Sequence, residues 1–551
     1  MQLRARNLRR VRSAIQRSIC ALIASGIGSA AAAQEPEPFA VGHEVFAGSE
    51  IEQYTRILQS AGVGRWYPWS LRGVSAHEVE AIVPVDTLHP WRSRYRLAPG
   101  DSGSLTAGWV RPRMRLMLNS AFPMGANDGA VWAGRGLTSA LDGGGWARMG
   151  PFSLVIAPVA FWSQNAAFDP APWRPPEDEF QDPRYPNAID LPPRFGDGAY
   201  WRVDPGQSTL RMDALGFAAG VSSANQTWGP AHEYPLVLGS NAPGFYHLFV
   251  GTSTPQDVWL GHVHARLVWG RLDQSNYSPV TSGEERRFMS GLVGTFAPRL
   301  VPGLEVGVTR FFHTTWPAGG PDLDNFLKPL EGLLKVSVTG DGVEGRSDRD
   351  NQLASLFVRW VPPRTGLEIY TEYAREDHNW NTRDFILEPD QNSGYMFGMS
   401  KVWAGSSDGW TVLRGEVVNA EVSHLFRVRD QNPFYIHTFT KQGHTHRGQV
   451  LGSPAAYGGA GSTVALDRYS PWGRWTVAWR RALQNRRGMY WVSGNVERDA
   501  ADVVHSLTLD GLLFRGPLEI RGALTGAYEF NRYFEDDVFN ANLSVGIRWV
   551  P

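Results

Sequence analysis

Three histidines, His437, His444 and His446, fall close together in this chain. Imidazole is a common metal ligand, so a metal centre is the first chemistry to weigh. No cysteine lies nearby, and the spacing is not that of a helical H-x-x-x-H pair. Hydrogen bonding within a loop is the favoured reading, ahead of contact with a sugar and ahead of a metal. Asp341, Asp348 and Asp350, set among Gly340, Gly342 and Gly345, hint at calcium. They miss the spacing of the twelve-residue EF-hand loop, which favours a solvated turn. No metal and no cofactor is expected. For catalysis, Ser423 and His424 could join Asp467, or Glu376 could pair with Asp377. A chain rich in such residues offers these pairings by chance, and no nucleophile elbow or H-E-x-x-H signature accompanies them. The chain is expected not to be an enzyme.

The elements that would carry these residues are strands. In the last segment Leu543, Val545, Ile547 and Trp549 alternate with Asn542, Ser544, Gly546 and Arg548. Just before it Leu518, Ile520, Leu524, Tyr528 and Phe530 share one face. Such alternation gives one face to an apolar medium and one to water. Beyond the extreme N-terminus no run approaches the ~20 apolar residues of a membrane helix. The fold class is therefore all-β: a transmembrane antiparallel β-barrel of about 18 strands, because bacterial single-chain barrels use even numbers. Candidate strands include 209–221 and 488–497, with none inside 424–472. Counted back from the C-terminus, 512–517, 483–487, 405–410, 361–364 and 298–302 are short periplasmic turns. The stretches 312–351, 376–393 and 424–472 become long outer loops.

Residues 1–33 read as a signal peptide: a basic start, a short apolar core, then Ala31-Ala32-Ala33. Cleavage there removes six arginines and Cys20, the sole cysteine. The destination is the bacterial outer membrane. Residues 34–101 read as a leader and a small helical bundle, with helix from Ser49 and a capping box of Ser75 and Glu78. Residues 102–551 read as the barrel. A net charge of −1 with no basic stripe points away from nucleic acid. The abundant tryptophans suit membrane interfaces.

Three motifs stand out in spacing. One is Asn225-Gln226-Thr227-Trp228-Gly229-Pro230, followed by Ser240-Asn241-Ala242-Pro243-Gly244. Another contains Trp132, Gly134 and Gly136 after Asn127-Asp128-Gly129. The third runs from Tyr435-Ile436-His437 through Gly443-His444-Thr445-His446 to Leu451-Gly452-Ser453-Pro454. With the exported helical segment, these resemble the Wzi family of capsule-assembly outer-membrane proteins. The resemblance implies an 18-stranded barrel with a periplasmic helical bundle. It also implies a surface lectin that helps assemble or anchor capsular or extracellular polysaccharide, with outer-membrane lipid around it and polysaccharide export machinery as a further partner. The chain departs from the family by ending Trp549-Val550-Pro551. Sugars are held by aromatic faces and hydroxyl-bonding side chains. Trp316, His378, Trp380, Tyr435, His437, His444, His446 and Tyr457 are the expected glycan contacts, with loop packing the alternative for each. An outer-membrane porin or uptake channel is the alternative function, decided by whether the lumen is filled.

Overall fold

The computed structural model describes residues 39–40, 42–82, 88–96, 105–173, 179–280, 283–335, 350–376, 386–405, 409–423, 431–493 and 501–550. The signal segment and the pair His378 and Trp380 lie outside the described residues. The barrel is closed and antiparallel, with eighteen strands. In chain order they are β1 (Thr106–Asn119), β2 (Gly136–Met149), β3 (Phe152–Ile156 and Val159–Ser163) and β4 (Tyr200–Asp204 and Thr209–Ala214). Next come β5 (Phe217–Ser222), β6 (His247–Thr252 and Gln256–Val258), β7 (Gly261–Asp273), β8 (Arg286–Pro298) and β9 (Leu304–Thr315). The second half is β10 (Asn351–Trp360), β11 (Leu367–Glu376), β12 (Ser393–Ala404), β13 (Trp410–Asn419) and β14 (Ala460–Ser470). It ends with β15 (Gly473–Leu483), β16 (Val503–Arg515), β17 (Leu518–Phe530) and β18 (Val538–Trp549). β18 closes the ring on β1, from Asn542 opposite Asn119 to Arg548 opposite Arg113. Closure leaves no sheet edge, which a lipid environment demands.

Alternation decides which way each side chain points. On β18, Leu543, Val545, Ile547 and Trp549 are exposed on the outer wall. On β12 the same holds for Tyr395, Phe397, Met399 and Trp403. One end of the barrel carries tight turns such as Gly150–Pro151, Leu215–Gly216, Pro471–Trp472 and Gly516–Pro517; the other carries all the long connections. Short periplasmic turns and long outer loops are the expected polarity.

Three strand expectations are corrected. The described part of 488–497 is not a strand: Arg486–Ser493 is a helix in a long outer connection, and 494–497 lie outside the described residues. The long loop ends at Gly459, because Ala460–Ser470 is β14. The stretch 209–221 is two strands folded back at Leu215–Gly216, with Ala214 opposite Phe217. The segment 483–487 consequently sits at the long-loop end, not in a periplasmic turn. The first and second errors cancel in the count, which is why the sides assigned upstream hold.

The N-terminal segment forms α1 (Glu50–Ser60) and α2 (Ala76–Ile82). Ser49 Oγ caps α1 by accepting from Glu52 N. Ser75 and Glu78 form the expected capping box, with N–H···O distances of 3.2 and 2.9 Å. This domain sits in the short-turn mouth. Tyr54, Ile57, Leu58, Trp69 and Trp91 share one apolar cluster with the wall residues Val402, Trp410, Val412, Tyr469 and Leu512. Trp91 stacks on Tyr54 at 4.2 Å and donates to the Ser470 and Gly473 carbonyls at 3.1 and 3.2 Å.

Candidate functional site

The three unusual motifs meet inside the barrel. The segment between β5 and β6 turns inward instead of crowning the rim. Its Thr227 and Trp228 pair antiparallel with Arg72 and Leu71 of the N-terminal domain. Gly229 N donates to the Ser70 carbonyl at 2.8 Å, and Arg72 and Arg56 donate to the carbonyls of Ala231 and Pro230. The Trp-Gly-Pro motif is thus the junction between a plug entering from the outer end and one entering from the periplasmic end. Gly229 is required there. Its φ is +89°, and a Cβ would stand 2.8 Å from the Glu372 carboxylate.

The other motifs pack around this junction. Gly129 N donates to the Ser240 carbonyl at 2.7 Å. Gln449 donates to the Asn241 carbonyl at 2.9 Å, and Asn241 donates to the Val450 carbonyl at 2.9 Å. Gly134 lies under Ser163 and Asn165, where a Cβ would crowd both, and Gly136 opens β2 at a φ of +88°. Trp132 is half-buried, edge-on to Phe195 at 5.1 Å.

The barrel wall grips the plug with carboxylates. Glu416 accepts from the backbone N–H groups of His232, Glu233 and Tyr234 at 2.8, 3.0 and 2.6 Å, and from the Tyr370 hydroxyl at 2.7 Å. Glu305 accepts from Trp69 N and Ser70 N, both at 3.0 Å. Glu368 binds Arg56 of α1 and Arg359 of the wall. Within the N-terminal domain Glu52 holds Arg72 with two 2.8 Å contacts. Burial alone would raise the Glu52 pKa; the Arg72 charge and hydrogen bonds, with Arg56 and Trp69, together outweigh it and leave the carboxyl below its usual range. Sequence reading does not single out Glu305, Glu368 and Glu416. Each is an acid at a lumen-facing position of a strand, which polar luminal walls make unremarkable.

The expected glycan contacts land mostly in the plug. Tyr435 is fully buried; its hydroxyl donates to the Leu236 carbonyl at 2.6 Å, and its ring stacks on His444 at 5.1 Å. His444 Nε2 donates to the Val237 carbonyl at 2.6 Å. His446 Nδ1 accepts from Asp273 N at 3.0 Å. His437 Nδ1 accepts from Thr440 N at 3.1 Å. Tyr457 donates to Asp182 at 2.9 Å. All five are buried where 431–459 folds into the lumen, and the polar atoms named here are spent on partners inside the barrel. Burial pushes the His437 and His444 pKa values down to about 4 and about 3, and that of His446 well down too. These imidazoles are neutral at pH 7. Trp316 is half-exposed and leans on Phe288 at the rim. Among the described residues no cluster of three or more His, Cys, Asp or Glu is placed to hold a metal. Asp350 pairs with Lys328. Asp467 is held by Arg414 and Thr476, and Glu376 by Tyr435 N.

Two roomy cavities stand out among the described residues. A luminal chamber of about 260 Å³ separates the N-terminal domain from the wall of β1, β2, β17 and β18. Its arginines are paired there, as Arg113 with Asp142 at 3.0 Å and Arg548 with Glu519 at 3.2 Å. A cleft of about 430 Å³ lies on the outer rim. Tyr395, Asn419, Glu421, Arg481 and Arg486 line it, with Arg486 and Glu421 paired at 2.7 Å.

The family profile described as capsule assembly protein Wzi matches residues 123–472. Comparison with curated protein sequences gives no match. Among solved structures the chain is similar to Wzi of Escherichia coli, described as a carbohydrate-binding β-barrel involved in group 1 capsule assembly. The TM-score is 0.58 at 12% identity, over 93% of this chain and 100% of that one. OprD of Pseudomonas aeruginosa aligns at a TM-score of 0.37 and 8% identity, over 80% and 92% of the two chains. OccK2 of the same organism aligns at 0.39 and 7%, over 81% and 97%. The last two likenesses are too slight to bear on function.

Proposed function

Since the chain belongs to the Wzi capsule-assembly family, we propose that it is a lectin-like outer-membrane barrel that retains capsular or other extracellular polysaccharide at the cell surface and catalyses nothing. The observation that carries this reading is the double plug. Helical domain and outer loops meet at Trp228–Gly229 and lock to the wall through Glu416, Glu305 and Glu368. A filled lumen suits a rigid platform for binding at the rim better than it suits a channel, so the porin alternative loses support. The ligand class comes from the similar Escherichia coli barrel, described as binding carbohydrate.

The rim cleft is the described surface best fitted to a sugar. Tyr395, outward-facing but at the rim end of its strand, supplies an aromatic face above the lipid, and Asn419, Arg481 and Arg486 supply hydroxyl partners. His378 and Trp380 belong to the outer loop that precedes β12, and both stay in the proposal as sugar contacts. The short-turn end, with the N-terminal domain, is the face available to export machinery. The test is the ratio of cell-bound to shed polysaccharide in cells carrying Tyr395→Ala, Arg486→Ala or Trp380→Ala, with heat-modifiability as the folding control. Each is expected to shed several-fold more. Retention equal to the parent in all three, with folding intact, removes the rim from the proposal.

A further inference from the structure

The connection between β9 and β10 holds a third helix, α3 (Leu323–Lys335). It lies on the outside of the barrel. Met289 and Phe311 point into the luminal core. Their neighbours Phe288 and Phe312 therefore point outward, as does Trp269 next to luminal Val268. α3 covers these outward residues. Phe326 packs on Phe288 at 5.5 Å and on Trp269 at 5.6 Å. Trp269 Nε1 donates to the Phe326 carbonyl at 2.8 Å, and Arg310 donates to the Pro329 carbonyl at 3.1 Å. Phe288 and Phe312 are consequently 5% and 6% exposed, although they sit on the lipid-facing wall.

The side of α3 turned away from the wall carries an exposed apolar stripe beside exposed Asp324. Leu323, Leu327 and Leu330 are 69%, 42% and 36% exposed. Their spacing of four and three residues puts them in one stripe. A helix turned this way against a soluble wall would show that stripe to water. Against a barrel it shows the stripe to the outer leaflet, beside outward Val308 and Leu356, which are themselves exposed on the same wall.

We propose that α3 is an interfacial helix: a segment of an outer loop that lies in the outer leaflet against the barrel, with Leu323, Leu327 and Leu330 in contact with lipid. Amphipathic helices of this kind bury their apolar face at the headgroup–acyl boundary. Trp316 then acts as an interface aromatic on the same patch, not as a sugar contact. The lipid belt of the protein then extends past its strands on this side, over the described helix Leu323–Lys335. The inference rests on the outward wall of β7, β8 and β9, and stands whether or not the rim binds polysaccharide.

Single-cysteine labelling tests it. In a Cys20→Ser background, Leu323→Cys and Leu327→Cys are labelled with bimane, and Asp197→Cys on an exposed outer loop serves as the control. The proteins are inserted in phosphatidylcholine vesicles whose acyl chains are brominated, or in plain vesicles with iodide on both sides. Brominated lipid is expected to quench the two leucine positions at least twofold more than Asp197→Cys, and iodide at least twofold less. Labels at 323 and 327 quenched by iodide like the control and untouched by brominated lipid overturn the proposal. So does shielding from both quenchers, the outcome expected if a protein partner or second copy covers the stripe.

Discussion

Single residues make two predictions about the plug. The first concerns the histidines that resemble a metal site and prove to be buried. A folded-state pKa near 3 or 4 for His444 and His437 lies below the ~6.5 of a solvated imidazole. The opened loop therefore binds more protons than the closed one between those values. Stability contributed by the neutral, buried rings is present above about pH 6.5 and is lost as pH falls toward the folded pKa. Each unit of that interval costs up to about 1.4 kcal/mol per histidine. Amide protection factors over 435–451, corrected for intrinsic rates, are expected to fall at least tenfold between pH 7.5 and pH 5. Unchanged protection contradicts the buried assignment. The second concerns Gly229. Alanine there meets a left-handed φ and the Glu372 carboxylate together, a strain of about 1–3 kcal/mol. Gly516→Ala is the control: its φ is also positive, at +53°, but open space surrounds it. The thermal midpoint of the heat-modifiable band is expected to drop further for Gly229→Ala than for Gly516→Ala.

At the scale of elements, the strands with strong lipid-facing alternation are legible in the sequence, as is the N-terminal segment packed at the periplasmic mouth, and the inward fold of the outer loops is not. β17 and β18 announce themselves through outward Leu, Val, Ile and Trp. β14 escaped notice because its outward Ser462 and Arg468 blur the contrast with inward Thr463 and Asp467. The β4–β5 turn escaped because Leu215 adopts a left-handed φ of +55° without the usual Gly or Asn signal at that place. Arg486–Ser493 reads as a strand yet forms a helix, because a short apolar window such as Met489-Tyr490-Trp491-Val492 carries no decisive period. The capping box of α2 was readable because it is local. The inward fold of 431–459 was not, since loop direction is set by partners distant in sequence, such as Arg287 donating to the carbonyls of Gly443 and Thr445 at 2.6 Å. The N-terminal domain yields this scale's prediction. Its Glu52–Arg72 pair is buried, and Glu52→Ala strands the arginine, a change that costs about 3–5 kcal/mol. In a planar bilayer the parent is expected to conduct far less than an open porin of eighteen strands, and removal of residues 42–96 to raise the conductance. A parent that already conducts like a porin argues against a closed plug.

For the whole molecule, the proposed function divides residues that build the plug from rim residues that would meet the ligand. Binding at a rigid rim costs less ordering entropy than binding with mobile loops. A substitution inside the plug should therefore affect retention through stability, and one on the rim should affect it directly. Tyr435 distinguishes the two. Tyr435→Phe deletes the hydroxyl that satisfies Leu236 and leaves the ring in place; about 1 kcal/mol is expected, with parental retention of polysaccharide. Tyr435→Ala empties a site packed against Phe434 and His444 and is expected to cost about 3–5 kcal/mol. Its heat-modifiable band should melt early, and its polysaccharide should be shed only where the band is already lost. Arg486→Ala, on the rim, should shed polysaccharide while its band melts like the parent's. The measurement is retention against temperature for the three variants, read beside the fraction of folded barrel. A Tyr435→Ala protein that stays folded and still sheds would return the buried tyrosine to the ligand surface, and would mean that the plug opens when polysaccharide binds.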